Sequence, residues 1–199
     1  MVFLCSFYTL RGQGTSFKEC DLKTIFFLFL GLALGLSAFA DTFESEAKKL
    51  AEDLKVNLVK NLTQKIEKEG VIKAIPFCHE NVKPIAKEAA GERVAKFEFG
   101  RTSHKVRNPM NRPPVWAESY LKEFQGKLKS DITKNSLLIE HEGKRIYLEP
   151  LFVEAKCLLC HGDKVSTQVS EKIKSLYPQD QAIGFKQGEF RGFIWVKEK

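Results

Sequence analysis

Cys157, Cys160 and His161 form the most specific chemical pattern in the chain, C-x-x-C-H. Two thiols three residues apart reach the two vinyl groups on one edge of a porphyrin, and the imidazole that follows them lies beneath the iron. The pattern therefore predicts one covalently attached c-type haem. Cys157 and Cys160 would be the attachment residues and His161 the proximal axial ligand.

Two other chemistries also use paired cysteines. A zinc site needs a second ligand pair, and the chain offers only Cys78 and His79, adjacent residues that are poorly placed to bind one metal ion together. A thioredoxin-like dithiol needs a βαβ pattern around its first cysteine, which this neighbourhood does not show. A zinc-stabilised interaction module is the non-haem alternative.

The first 40 residues have the features of a leader and export signal. Lys18 and Lys23 precede an apolar run over residues 25–36, and small residues then lead up to Ala40. We expect cleavage after Ala40 and a periplasmic mature protein of residues 41–199. If cleavage failed, the leader would anchor the protein and would be its only membrane contact.

Composition narrows the class of partner. The net charge of +7 becomes +6 when the leader is removed, so the mature protein stays basic. Nucleic acid is not an expected partner outside the cytoplasm, and the charge favours an acidic redox partner protein or a separate signalling partner. Only Cys78, Cys157 and Cys160 remain after cleavage, and an odd number argues against a disulfide framework.

Hydrophobic periodicity predicts helices in the first half of the mature chain. Apolar residues at helical spacing predict one long amphipathic helix over 44–69, and Gly70 ends it. A second helix is predicted over 71–90, with Cys78 on its apolar face and with Pro76 and Pro84 expected to kink or divide it. A third, which carries Trp116, Tyr120 and Phe124 at four-residue spacing, should stop near Gly126.

The later part of the chain reads mainly as strands. The segments predicted as strands are the approach to Gly100, a hairpin of 137–140 with 144–148, and 190–196. A short helix over 170–176 lies between them. Asn111 is expected to cap the third helix, with Pro113 and Pro114 in its first turn. Helices followed by mixed strands predict a single α+β domain over residues 41–199.

Five residues are candidates for the second axial ligand of the iron: Cys78, His79, His104, Met110 and His141. Cys78 shares the apolar face of its helix, and His79 is rotated from it by about 100 degrees. His104 and His141 lie in polar turn segments, which predicts exposure to solvent. Met110 lies in a proline-rich loop that would have to fold over a haem face.

The order of these motifs resembles that of the Tll-like c-type haem domain family. The resemblance rests on Ala74, Ile75 and Cys78, then on Arg101-Thr102-Ser103 and the string from Val106 to Pro113, and then on Cys-Leu-x-Cys-His-Gly. It covers about residues 50–199. It implies a PAS-like fold, an antiparallel sheet flanked by helices, and axial ligation by His161 and Cys78, with His79 as the alternative one residue along.

Four polar residues are candidates for holding the haem propionates: Arg101, Arg107, Asn108 and Asn111. Their alternative role is turn architecture. We expect a periplasmic mono-haem c-type cytochrome-like protein that transfers electrons or senses redox state or a gas. A peroxidase or reductase would need an open distal position with a catalytic His or Arg, and nothing in the sequence requires one, so we do not expect an enzyme.

Overall fold

A four-stranded antiparallel sheet with the order β1-β4-β3-β2 forms the centre of the domain. The computed structural model describes the backbone of residues 22–199 and the side chains of residues 42–199. The strands are β1 (Phe97–Thr102), β2 (Leu137–His141), β3 (Lys144–Phe152) and β4 (Phe190–Glu198). The helices are α1 (Leu22–Glu69), α2 (Val71–Ala90), α3 (Val115–Phe124), α4 (Leu158–His161) and α5 (Thr167–Leu176).

Helices cover both faces of the sheet. Side chains alternate between the two faces of a strand, so Tyr147 and Ile146 point in opposite directions. Tyr147 joins a buried cluster with Leu50 and Leu54 of α1, whereas Ile146 packs with Leu121 of α3. The predicted α+β fold, a PAS-like sheet flanked by helices with a long amphipathic helix before it, is confirmed.

The β2–β3 hairpin has a two-residue turn, Glu142-Gly143. Both residues have positive φ, 52° and 71°, and this conformation matches the right-handed twist of paired strands. Strand β3 runs on to Phe152 and pairs with β4, which also pairs with β1. The hairpin and the final strand therefore agree with the sequence pattern.

Two local predictions need comment. Pro76 and Pro84 were expected to kink or divide α2, and they lie inside one continuous helix, so the division does not occur. Each proline leaves one carbonyl without its helical partner, and these carbonyls belong to Ile72 and Glu80, which are exposed to water. Asn111 does not cap α3 either, because Pro114 occupies the N-cap position and no side chain bonds there.

The predicted leader, residues 1–40, and its cleavage site lie outside the residues whose side chains are described. Residues 41–199 form one compact unit by themselves. Within residues 42–199, no helix combines the length and hydrophobicity that crossing a bilayer requires.

Candidate functional site

The C-x-x-C-H segment folds as a helical turn with its three reactive side chains on one side. A short turn that ends at Cys157 leads directly into α4. Residues three and four apart share a face of a helix, so Cys160 and His161 follow Cys157 along it. Gly162 ends the turn, and a Cβ at this position would lie 2.8 Å from the carbonyl oxygen of Leu158.

The imidazole of His161 is held in one tautomer. Its Nδ1 lies 2.7 Å from the carbonyl oxygen of Ala182, and since a carbonyl only accepts, Nδ1 carries the proton. Burial, with the positive charges of Arg191 and Arg107, lowers the pKa of His161 well below its ordinary value. The ring is therefore neutral, and Nε2 keeps the lone pair that a metal ion requires.

A segment about twenty residues downstream holds this histidine through its backbone. The N–H of Phe185 donates to the carbonyl of His161 at 3.0 Å, and the N–H of Gly184 donates to that of Gly162 at 3.0 Å. The Phe185 ring also faces the imidazole edge-on, with 6.4 Å between the ring centroids. Both the backbone and the ring of His161 are thus fixed by the same stretch of chain.

Helix α2 brings Cys78 to the same region. Ile75, one turn before it, packs in a cluster that Cys160 also touches. Burial raises the pKa of the Cys78 thiol, and the charges of Arg101, Cys160 and Arg107 also act on it. The structure therefore groups Cys78 with the second cysteine of the attachment motif and with two arginines.

His79 has different surroundings from its neighbour. Its side chain is exposed and lies against the ring of Tyr177 at 5.0 Å between centroids, nearly perpendicular to it. Met110 is 70% exposed at the tip of its loop. His141 ends β2, and its Nε2 is 3.7 Å from a carboxylate oxygen of Glu142. Of the five ligand candidates, Cys78 is the one whose pKa is affected by the charge of Cys160.

His104 contradicts the expectation of exposure. Both of its ring nitrogens are buried and make no hydrogen bond within the described residues. The ring stacks on Phe190 at 5.9 Å and meets Phe185 edge-on at 5.7 Å. Burial, together with the nearby positive charges of Arg191 and Lys105, lowers its pKa. The polar segment thus buries its histidine, because two aromatic residues from distant parts of the chain enclose it.

Arg107 ties the polar loop to the attachment segment. Its guanidinium donates two hydrogen bonds to the Asp180 carboxylate, at 3.1 and 3.0 Å, and others to the carbonyls of Cys160 and Ala182 at 2.6 and 3.2 Å. Asp180 also accepts from the N–H of Ala182 at 2.9 Å. Arg107 therefore positions the carbonyl that holds His161, and its Nε–Nη2 edge is occupied by Asp180.

The two asparagines of this loop serve its folding. The side chain of Asn108 accepts a hydrogen bond from the N–H of Met110 at 3.0 Å and caps a short turn. The carbonyl of Asn111 accepts from the Thr102 hydroxyl at 3.2 Å. The Asn108 contact agrees with the turn-architecture alternative for that residue, whereas the Asn111 contact is made by its main chain.

Two further arginines lie near His161 without a carboxylate partner. The guanidinium of Arg101 makes no hydrogen bond or ion pair within the described residues, and its charge acts on Cys78, Tyr177 and Cys157. Arg191, which the sequence did not single out, donates to the Ser103 hydroxyl at 2.6 Å. The site therefore holds an excess of positive charge.

Two cavities lie near the C-x-x-C-H segment, and one of them borders α4. One of about 580 Å³ is lined by Val71 and Ile72 of α2, by Leu158 and Leu159 between the two cysteines, and by Val169 of α5. A second, of about 320 Å³, lies along α5. Within residues 42–199, no group of three or more His, Cys, Asp or Glu side chains is arranged to hold a metal ion.

The family model described as Tll0287-like matches residues 37–198. The chain belongs to this family. No curated protein matches the sequence. Among solved structures, the Tll0287-like chain is similar to one described as the crystal structure of the cyanobacterial heme-protein Tll0287, with 22% identity and a TM-score of 0.47. The similarity covers 81% of this chain and 92% of that one.

Proposed function

We propose that this member of the Tll0287-like family is a haem-binding protein with one haem covalently attached through Cys157 and Cys160. The observation that carries the proposal is the state of His161. Its imidazole is neutral, its Nδ1–H donates to the carbonyl of Ala182, and its Nε2 makes no hydrogen bond within the described residues. Metal-bound histidines almost always donate their other N–H in this way. The residues present therefore fit the cofactor that the motif implies.

Family membership and the charge of the site also support haem. The similar solved structure is described as that of a heme-protein. Haem carries two propionate carboxylates, and the site offers two arginines, Arg101 and Arg191, that have no carboxylate partner within the described residues. A zinc-stabilised module has no observation in its favour.

Cys78 is the proposed second ligand of the iron, and His161 would be the first. Ile75, one turn before Cys78, packs in the cluster that Cys160 touches, and the charge of Cys160 acts on the Cys78 thiol. The exposure of His79 also favours Cys78. When bound, the haem supplies a one-electron redox centre, and a thiolate ligand favours its ferric state. The protein's residues hold the group, exclude water from its edge and set its electrostatic surroundings.

The function that fits this ligand set is one-electron transfer or the sensing of redox state or of a diatomic gas, in the periplasm after export. The basic net charge supports steering toward an acidic redox partner or a separate signalling partner. Binding of carbon monoxide to the ferrous protein separates the two roles. A carrier with two fixed ligands excludes the gas, whereas a sensor that releases Cys78 binds it.

The first experiment is expression in a host with cytochrome maturation factors. The intact mass should include one haem that denaturation does not remove, and replacing both Cys157 and Cys160 with Ala should abolish its covalent attachment. Cys78→Ala is the matched control, because it also removes a partly buried thiol but should leave attachment unchanged. A colourless protein with free Cys157 and Cys160 would overturn the proposal.

The second experiment identifies the other ligand. Cys78→Ala should change the ferric absorption and electron paramagnetic resonance spectra, whereas His79→Ala should leave them unchanged. The reverse result would assign the ligand to His79. Sequencing the N-terminus of the exported protein tests the location, with Asp41 as the expected first residue.

A further inference from the structure

Arg191 occupies a bulge in β4. The residues on either side of it, Phe190 and Gly192, pair with consecutive residues of β3, so Arg191 has no partner opposite it in the sheet. A bulge bends its strand and re-aims a side chain. Gly192 permits this one, with φ at 144° and with a position where a Cβ would lie 2.2 Å from the carbonyl oxygen of Thr102.

The bulge directs the guanidinium of Arg191 toward the residues around His161. Its Nη1 donates to the Ser103 hydroxyl at 2.6 Å and to the carbonyl of Lys105 at 3.2 Å. The group lies 5.0 Å from the centroid of Phe185, and the same ring also faces the imidazole of His161 at 6.4 Å between centroids. Nε and Nη2 of Arg191 make no hydrogen bond within residues 42–199. This Nε–Nη2 edge is one that can bind a carboxylate through two parallel bonds.

The arginines near His161 outnumber the carboxylates that pair with them within the described residues. Arg101, Arg107 and Arg191 all lie close enough to His161 for their charges to act on it. Asp180 pairs with Arg107 at 3.0 Å. Burial and the charges of the other two arginines lower the pKa of Arg191 to about 9. An anionic ligand bound among these like charges would offset their mutual repulsion.

We propose that Arg191 and Arg101 bind the two propionate carboxylates of the haem. This inference rests on the proposed function. It replaces part of the sequence-based assignment, because Arg107 is engaged by Asp180, and Asn108 caps its own turn. Arg191 would bind a carboxylate directly, and its charge also acts on His161.

The test compares the holoprotein with Arg191→Gln, using Arg93→Gln as the matched control. Arg93 is also a partly buried arginine, but it pairs with Asp53 and with the carbonyls of Ala89 and Ala90. Both variants lose one positive charge. Arg191→Gln should lower the haem reduction potential, because the ferric state has one more positive charge and gains from the loss of a nearby cation. Arg93→Gln should leave the potential close to that of the wild type.

A direct readout is the propionate bending band in the resonance Raman spectrum. It should move in Arg191→Gln and stay in place in Arg93→Gln. Arg191→Lys keeps the charge but loses the two-bond geometry, so it should move the band with little change in reduction potential. If Arg191→Gln does not fold, Arg191→Lys is the variant that tests the inference. An unchanged band and potential in a haem-loaded Arg191 variant would overturn the inference alone. A wild-type protein without haem would overturn the proposed function as well.

Discussion

Arg107→Gln is expected to be the most destabilising change in the polar loop. The side chains of Arg107 and Asp180 are 13% and 6% exposed, so the pair is almost wholly removed from water. The variant leaves the Asp180 carboxylate without its counter-charge, and it also removes the donors to the Cys160 and Ala182 carbonyls. Breaking a buried pair from one side is costly because the remaining charge stays desolvated.

The expected loss is about 3–5 kcal/mol of unfolding free energy, the range for one partner of a buried pair. A domain of this size loses about 2–4 °C of melting temperature per kcal/mol, so the midpoint should fall by about 6–20 °C. Arg107→Gln/Asp180→Asn removes both charges and should recover part of the loss. The two sites are in contact, so their effects should not add.

Thermal and urea unfolding of the holoprotein, followed by circular dichroism, measure both quantities. Arg145→Gln is the matched control, since Arg145 also pairs with a carboxylate, that of Glu198, but with both side chains 28% exposed. Surface pairs of this kind contribute about 0–1 kcal/mol. If Arg107→Gln cost no more than Arg145→Gln, or if the double variant lost the sum of the single losses, the reasoning about the buried charge would be wrong.

Two further predictions concern the same neighbourhood. The pKa of His104 is lowered by burial, Arg191 and Lys105, and raised less by Glu189, so the unfolded chain takes up its proton first as pH falls below about 6.5. The free energy of unfolding should therefore decline between about pH 7 and 5, and it should decline less in His104→Phe. Urea unfolding at several pH values measures this, and an equal decline in both proteins would contradict the prediction. Gly192→Ala should lower the free energy of unfolding by about 2–4 kcal/mol, because the added Cβ meets the Thr102 carbonyl. Gly188→Ala should lower it by about 1 kcal/mol, because φ is 80° there but the space around the Cβ is open. Urea unfolding of both variants measures this, and equal losses would contradict it.

Local patterns predicted the elements of this fold well. The bounds of α2 follow from helical spacing between Gly70 and Gly91, and the hairpin follows from two apolar runs around Glu142-Gly143. The core face of α1 was also evident, with Leu50 and Leu54 at helical spacing. Each of these signals lies within a few residues of the structure that it specifies.

The parts of the site that the sequence missed depend on distant contacts. His104 is buried by Phe185 and Phe190, about eighty residues away, and no pattern close to it in the sequence indicates that burial. Arg191 matters because a bulge turns it toward His161, and the only local signal was a glycine inside a strand at Gly192. The role of Arg107 likewise depended on Asp180, whose proximity no short motif encodes.

The position of β4 in the sheet has a consequence for how the chain is made. Synthesis proceeds from the N-terminus, and β4 supplies the strand that joins β1 to β3, so the sheet cannot close until residues 190–198 have been added. Residues 180–185, which hydrogen-bond to the backbone of His161 and Gly162, are also synthesised after Cys157 and Cys160. Cys157 and Cys160 are therefore complete in an open chain before the domain folds around them. For the covalent haem attachment proposed above, both thiols would be accessible at that stage, before the last strand closes the sheet.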